Sequence, residues 1–175
     1  LIINQNGSIS ATANATGNYA GAVGVYADTS IGNFTNSGNI SANATGKDAG
    51  AAGVIAHPIN NFSNTGSISA NATGKDASAF GVSADSIGSF TNTGSISATA
   101  NSTGNDAHAF GVAVHSIGSF TNTGSISANA TGNFAGVAGV SVDSGSFTNT
   151  GSISATANAT GNYAYAYAFG VRTGS

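Results

Sequence analysis

The chain contains no cysteine, methionine or tryptophan, and only a single proline. Without cysteine it forms neither disulfide bonds nor thiolate metal sites. Charge is equally scarce: three basic and six acidic residues make up 5% of the chain, against roughly 25% in an average soluble domain. This shortage of basic residues argues against binding to nucleic acid or to anionic membranes. Because no run of 18 apolar residues occurs, we expect no membrane-spanning helix, and we expect no cofactor.

Small residues and regularly placed apolar residues dominate what is present. Glycine occupies 26 of the 175 positions, and 40% of the residues are hydrophobic. The motif F-T-N-T-G-S-I-S recurs every 27 to 31 residues, with its glycine at Gly7, Gly38, Gly66, Gly94, Gly124 and Gly151. Two further motifs, N-A-T-G and A-x-A-F-G-V, recur in step with it. Six copies cover nearly every residue and indicate a repeat protein.

The copies differ in length in a way that favours β-strands. Residues 69–74 read S-A-N-A-T-G, whereas residues 97–104 carry two additional residues. An insertion of two preserves the in-and-out alternation of a strand, and the density of glycine, asparagine and serine disfavours helix. We predict an all-β parallel β-solenoid of about six coils, with three short strands per coil, as a single repeat domain over residues 1–175. The coils are expected to begin near Leu1, Phe34, Phe62, Phe90, Phe120 and Phe147.

Stacked coils align equivalent residues into columns, and three apolar columns are predicted to form the core. The first contains Phe34, Phe62, Phe90, Phe120 and Phe147. The second contains Ile40, Ile68, Ile96, Ile126 and Ile153. The third contains Val54, Val82, Val112 and Val140. If valine points inward, the alternate residues of the third strand, such as Ala77, Ala79 and Gly81, are expected to form a smooth outer stripe suited to lateral packing.

Two polar columns flank the phenylalanine column. Asn36, Asn64, Asn92, Asn122 and Asn149 lie two residues after it and share its inward side. Their amides are expected to form a hydrogen-bonded ladder or to cap the following turn. The second polar column is predicted to point outward. It is a Thr-x-Thr ladder of Thr91, Thr93, Thr121, Thr123, Thr148 and Thr150. Such a ladder is a candidate ice- or carbohydrate-binding surface, although threonine is also an ordinary exposed strand residue.

Titratable residues and glycosylation motifs form the remaining columns. Asp28, His57, Asp85, His115 and Asp143 alternate at one corner, where attraction between neighbours is expected to raise a histidine pKa. Asp48, Asp76 and Asp106 form a second column. Two carboxylates about 5 Å apart match the spacing of the catalytic pair in a retaining glycosidase. A polysaccharide-active enzyme is therefore a remote alternative. We predict neither a metal site nor an enzyme. N-x-T sequons, candidate glycosylation sites, begin at Asn14, Asn43, Asn71, Asn101, Asn129 and Asn158.

The repeated units F-T-N-T-G-S-I-S and A-F-G-V resemble the passenger repeats of bacterial autotransporters and filamentous-haemagglutinin-like adhesins. The resemblance covers nearly the whole chain. It implies a parallel β-helix at the cell surface or outside a bacterial cell, acting as an adhesive or structural rod. Host or matrix glycans are the partners that it suggests.

The two ends of the chain show no sequence features of a capping element. The first residues, Leu1 to Ile3, are already in register with the phenylalanine column, and the last coil carries Tyr163, Tyr165, Tyr167 and Phe169. Open coil ends of matching cross-section can stack head to tail without closing. We therefore expect self-assembly into a filament or a place in a longer fibre.

Overall fold

The computed structural model describes residues 1–161 and 164–174; Tyr163 lies outside these ranges. The described residues form fifteen β-strands and no helix, so they include no helical segment able to cross a membrane. All strand pairs are parallel and connect equivalent positions of successive repeats. The predicted parallel β-solenoid of about six coils is confirmed.

Each coil contributes three strand segments. The first two coils contain β1 Ile2–Gln5, β2 Ser8–Asn14, β3 Tyr19–Ala27, β4 Ile31–Asn36, β5 Asn39–Thr45 and β6 Asp48–Ala56. The next strands are β7 Ile59–Asn64, β8 Ser67–Gly74, β9 Asp76–Asn92, β10 Ser95–Ser102 and β11 Asp106–Asn122. The last are β12 Ser125–Gly132, β13 Phe134–Asn149, β14 Ser152–Ala159 and β15 Tyr165–Thr173.

The strands belong to two sheets that face each other across the interior. Sheet B contains the middle segment of every coil, in the order β14-β12-β10-β8-β5-β2. Sheet A contains the first and third segments, from β1 to β15. Equivalent residues are register partners, so that Ile96 lies beside Ile126 and Phe90 beside Phe120. The two-residue insertion keeps the strands in phase, since Asn101, in the repeat with two additional residues, pairs with Thr73 and Thr131.

From the third coil onward, the third segment continues without a break into the first segment of the next coil. These segments form the long strands β9, β11 and β13, of 16 or 17 residues. The equivalent corner after β6 is interrupted at His57 and Pro58. Proline has no backbone N–H to donate to the ladder. The one proline of the chain thus lies at one of two interrupted corners; the other, at residues 28–30 after β3, contains none.

The phenylalanine, isoleucine and valine columns occupy the wide part of the interior. Phe90 is 1% exposed, and its ring stacks between Phe62 and Phe120 with centroid distances of 4.8 and 4.7 Å. The four valines of the third column are fully buried. The exceptions lie in the last coil: Phe147 is 39% exposed, with Phe120 stacked on one face of its ring, and Ile153 is only partly buried. These columns form one continuous apolar cluster along the axis.

A second core, made almost entirely of alanine, fills the narrow part of the interior. In the third coil, Ala70 and Ala72 of sheet B pack with Ala77 and Ala79 of sheet A. The expected outer stripe of Ala77 and Ala79 is therefore wrong, since these residues are 2% and 0% exposed. The small alanine side chains allow the two sheets to approach closely here. In this part of sheet A, residues that simple alternation would place on the outside point toward the interior.

The reversal occurs at the Gly81-Val82 step of β9. Ala77, Ala79 and Gly81 are buried at every second position, but Val82 is buried directly after Gly81. A Cβ on Gly81 would lie 2.5 Å from the Gly111 carbonyl oxygen and 2.5 Å from Ile96 Cγ2. Only glycine fits between these neighbours. Two successive inward residues shift the phase, so that alanine before this step and valine after it both face the interior.

Candidate functional site

Four asparagines of the column, Asn36, Asn64, Asn92 and Asn122, form a continuous buried ladder that ends on the exposed Asn149. The Nδ2 group of Asn64 donates to Asn92 Oδ1 at 2.8 Å, and also lies 3.3 Å from the Gly66 carbonyl oxygen and 3.2 Å from that of Ser95. Asn36, Asn92 and Asn122 repeat this arrangement with Nδ2–Oδ1 distances of 2.7 to 2.8 Å. Both proposed roles, ladder and turn cap, are therefore present in the same amides. Every amide donates in the same direction, toward the C-terminal coil.

This ladder has a defect at its N-terminal end. Asn36 Oδ1 is buried and has no hydrogen-bond partner among residues 1–161 and 164–174. The preceding register partner is Gln5, whose Nε2 donates instead to the Asn39 carbonyl oxygen at 3.2 Å. The longer glutamine side chain carries its amide past the position that an asparagine would occupy. A buried acceptor is left unsatisfied as a result, which costs free energy.

The Thr-x-Thr pairs are divided between a strand and a bend. Thr91, Thr121 and Thr148 are register partners on the outer face of sheet A. Thr93, Thr123 and Thr150 lie in the bends that follow, beyond the strand ends. Only the first threonine of each pair therefore belongs to a flat ladder, whose other members are Asn4, Thr35 and Ser63.

The outer face of sheet B presents a more regular polar surface. We call it the sheet B face, defined as the outward residues of β2, β5, β8, β10, β12 and β14. Each strand contributes four such residues, and every one is serine, threonine or asparagine. The sequon asparagines belong to this face: Asn43, Asn71 and Asn129 stand in one column, and Asn14, Asn101 and Asn158 in the next. All six are at least partly exposed.

The aspartate and histidine column forms exposed contacts at one corner. His57 Nδ1 lies 2.8 Å from Asp85 Oδ2, and His115 Nδ1 lies 3.2 Å from Asp143 Oδ2. The hydrogen bond to Asp85 raises the pKa of His57 above its ordinary value, and the negative charges of Asp85 and Asp28 add to the effect. Within the described part of the chain, no three histidine or carboxylate side chains converge on a candidate metal position.

The second carboxylate column borders the outer face of sheet A. Asp48 and Asp76 are register partners, and the backbone N–H of Asp106 donates to Asp76 Oδ1 at 3.3 Å. Lys47 and Lys75 precede the first two in sequence, but no ion pair joins these lysines to the aspartates over the described ranges. The column thus provides neighbouring, partly exposed carboxylates. The two lysines that precede them in sequence nearly balance their negative charge.

Sequence reasoning missed the outward aromatic residues of the third segment. Phe80 and Phe110 point away from the interior and stack at 5.3 Å, and Tyr19 lies 71% exposed on β3. The signal was available in the repeats themselves. The core columns carry one residue type each, whereas the column before the Gly-Val pair varies: Val23, Ala52, Phe80, Phe110, Ala138 and Phe169. Such variation within one chain is typical of a column that does not have to fit the interior.

Comparison with family models, curated proteins and solved structures gave no match to this chain. The fold and the surfaces described above are therefore the basis for assigning a function.

Proposed function

We propose that this chain is a non-enzymatic structural or adhesive rod at the surface of a bacterial cell, built to continue into a filament or a longer fibre. The observation that carries the proposal is the unbroken register of the core columns through successive coils. In such a solenoid each coil is stabilised mainly by its neighbours, so rod length can grow without a change of design. The resemblance to autotransporter and haemagglutinin passenger repeats supports the same function and location.

The coil ends support continuation along the axis. Phe147 and Val171 are 39% and 41% exposed, although their equivalents in inner coils are buried. Among the described residues, the Asn149 amide donates only to the Gly151 carbonyl oxygen, whereas Asn122 also donates to Asn149. A further coil, from the same polypeptide or from a second copy, would cover these side chains. Because the ladder is directional, such a contact has to be head to tail.

Electron microscopy and sedimentation of the chain at micromolar concentration test this proposal. We expect rods longer than a single six-coil unit. Phe147→Lys places a charge on the open end and should abolish elongation. Thr148→Lys, the neighbouring residue on the outer face, is the matched control and should leave it intact. A wild-type chain that stays monomeric, or equal elongation by both variants, would contradict end-to-end assembly.

The sheet B face favours a second candidate function, which is binding to ice. Its hydroxyl and amide groups repeat at about 4.8 Å between coils and about 6.7 Å along each strand, without any charged residue. An uncharged lattice of hydroxyl and amide groups at these spacings can order water. The test compares thermal hysteresis of Thr99→Lys, on the sheet B face, with that of Thr91→Lys, on sheet A. Loss only in the first variant supports this face, and absence of hysteresis in the wild type rejects the function.

A further inference from the structure

A trough crosses the outer face of sheet A over β3, β6 and the beginning of β9. Its volume is about 360 Å³. The floor is formed by Gly50 and Ala52 of β6, the walls include Tyr19 and Phe80 on the two flanking strands, and Asp48 borders one end. Since neighbouring strands are about 4.8 Å apart, the two flanking strands lie about 10 Å from each other. Tyr19 is in register with Asp76, four residues before Phe80, so the two rings are offset along the strands. The trough lies on the third segments of sheet A, whereas the threonine ladder lies on the first segments of the same sheet and the sheet B face belongs to the other sheet.

Sequence differences between the repeats create this trough. The third coil carries Ser78 and Phe80 at the positions where the second coil carries Gly50 and Ala52. On β3 the register partners are Gly21 and Val23, so Gly50 has a larger neighbour only on the β9 side, whereas Ala52 has one on each side. The fifth coil carries the same small pair, Gly136 and Ala138, so the pair itself is not unique to the second coil.

Both aromatic side chains of the trough lie against neighbouring groups of sheet A. A Cβ on Gly21 would lie 2.8 Å from Tyr19 Cε1, and one on Gly50 would lie 3.4 Å from the Tyr19 hydroxyl oxygen. The Tyr19 ring therefore extends over two glycines of the sheet and leaves most of its surface in solvent. The Phe80 ring is supported on its other side by Phe110. A ring that is already stacked, as Phe80 is, loses less conformational entropy on binding than a free side chain.

The polar groups at the trough restrict the chemistry of the occupant. Asp48 and Asp76 both line it, and each directly follows a lysine in sequence, Lys47 and Lys75. The local net charge is therefore close to zero, which selects neither a strong cation nor an anion. The carboxylates still accept hydrogen bonds, so a purely apolar chain would leave them poorly solvated. The occupant that matches combines an apolar face with several hydroxyl donors.

We propose that this trough binds neutral hexopyranose units of a glycan. A pyranose ring presents C–H groups on one face, which pack on the rings of Tyr19 and Phe80. Its equatorial hydroxyl groups donate to the carboxylates of Asp48 and Asp76. The assignment does not depend on end-to-end stacking of the rod, because all the lining residues belong to the first three coils of one chain.

The test is titration of the full chain with neutral hexasaccharides, namely β-1,4-linked glucose, β-1,4-linked N-acetylglucosamine and α-1,4-linked mannose. NMR should show shifts of the Tyr19 and Phe80 ring protons with at least one of them. The double variant Tyr19→Ala/Phe80→Ala should weaken that binding at least about tenfold, because two stacking contacts are lost. Tyr26→Ala removes an exposed tyrosine of the same strand outside the trough and should leave the affinity unchanged.

Several results would overturn the assignment. One is the absence of ring shifts with all three hexasaccharides. A second is binding that the double variant retains. A third is binding of tetramethylammonium with the same dependence on both rings, which would make the trough a cation site. A fourth is a change in sedimentation of the double variant without loss of saccharide binding, which would make the trough a contact between copies. Rod formation is measured separately, by microscopy. A failure of the glycan proposal can therefore be distinguished from a failure of the rod proposal.

Discussion

At the scale of single residues, the phenylalanine column is the main apolar contribution to the core. Phe90→Ala removes a ring that is 1% exposed and stacked on both sides. We expect a loss of about 3–5 kcal/mol in the free energy of unfolding, because the cavity cannot close between rigid coils. Urea unfolding followed by circular dichroism measures this change. Phe147→Ala, at the half-covered end of the column, should cost less, and a loss below about 1 kcal/mol for Phe90→Ala would contradict its interior role.

The defect in the asparagine ladder predicts a stabilising substitution. Gln5→Asn should place an amide donor opposite the unsatisfied Asn36 Oδ1. We expect a gain of about 1 kcal/mol in the free energy of unfolding, since a buried acceptor gains its hydrogen bond. Gln5→Asp has the same shape without the donor and should give no gain. Equal stabilities of the two variants in urea unfolding would show that the unsatisfied Asn36 Oδ1 does not lower the free energy of unfolding.

The exposed pair of His57 and Asp85 predicts a pH effect on a single side chain. Its hydrogen bond raises the pKa of His57, so the bound proton stabilises the folded state. This contribution is complete below the unfolded pKa of about 6.5 and is lost as the pH rises through the higher folded pKa. NMR titration should give a His57 pKa above 6.5, and Asp85→Asn should lower it. An unchanged value in Asp85→Asn would assign the shift to another cause.

At the scale of elements, the glycine before the valine column decides which face of sheet A is buried. A Cβ on Gly111 would lie 2.5 Å from the Gly139 carbonyl oxygen and 2.5 Å from Ile126 Cγ2. Gly111→Ala should therefore cost about 1–3 kcal/mol through overpacking. Gly170→Ala is the matched control, because its nearest atom, the Ile153 carbonyl oxygen, is 4.0 Å away. If the two variants have equally lowered melting temperatures in thermal unfolding, this role of the glycine column is wrong.

The sequence predicted the sheet B strands better than the third segments of sheet A. Along β10, alternation is strict, so Ile96 and Ala98 face inward as the pattern requires. Along β9, the alternation reverses at Gly81, and the pattern misassigned Ala77 and Ala79 to the outside. Alternation is a local property of a strand, whereas the reversal depends on atoms of the neighbouring coils.

At the scale of the whole molecule, the register between coils predicts that the rod tolerates loss of one complete repeat. Deletion of residues 62–89 joins two equivalent positions of the phenylalanine column and leaves every remaining column in phase. We expect a folded β-solenoid with a lower melting temperature, because stability is nearly a sum over neighbouring coils. Far-ultraviolet circular dichroism and thermal unfolding provide the measurement. Deletion of residues 62–76, which ends inside a coil, is the control and should prevent folding of the adjacent coils.

The candidate surfaces were predictable to different degrees. The outward Thr91 and Thr121, and the contact of His57 with Asp85, follow from column spacing alone, because register converts sequence intervals into neighbours. The trough did not follow from spacing. It requires the ring of Tyr19 to lie over glycines of two coils and Phe80 to point outward.

The amino-acid sequence by itself determined the number of coils, their stacking and the residues of the three large core columns. Repeats of nearly constant length, with alternating apolar residues, leave a parallel stack as the arrangement that buries every column. Only the tertiary structure decided which residues of the third segment face outward and where the trough forms. Those outcomes depend on close packing between glycine backbones and isoleucine side chains of adjacent coils, which are far apart in the sequence.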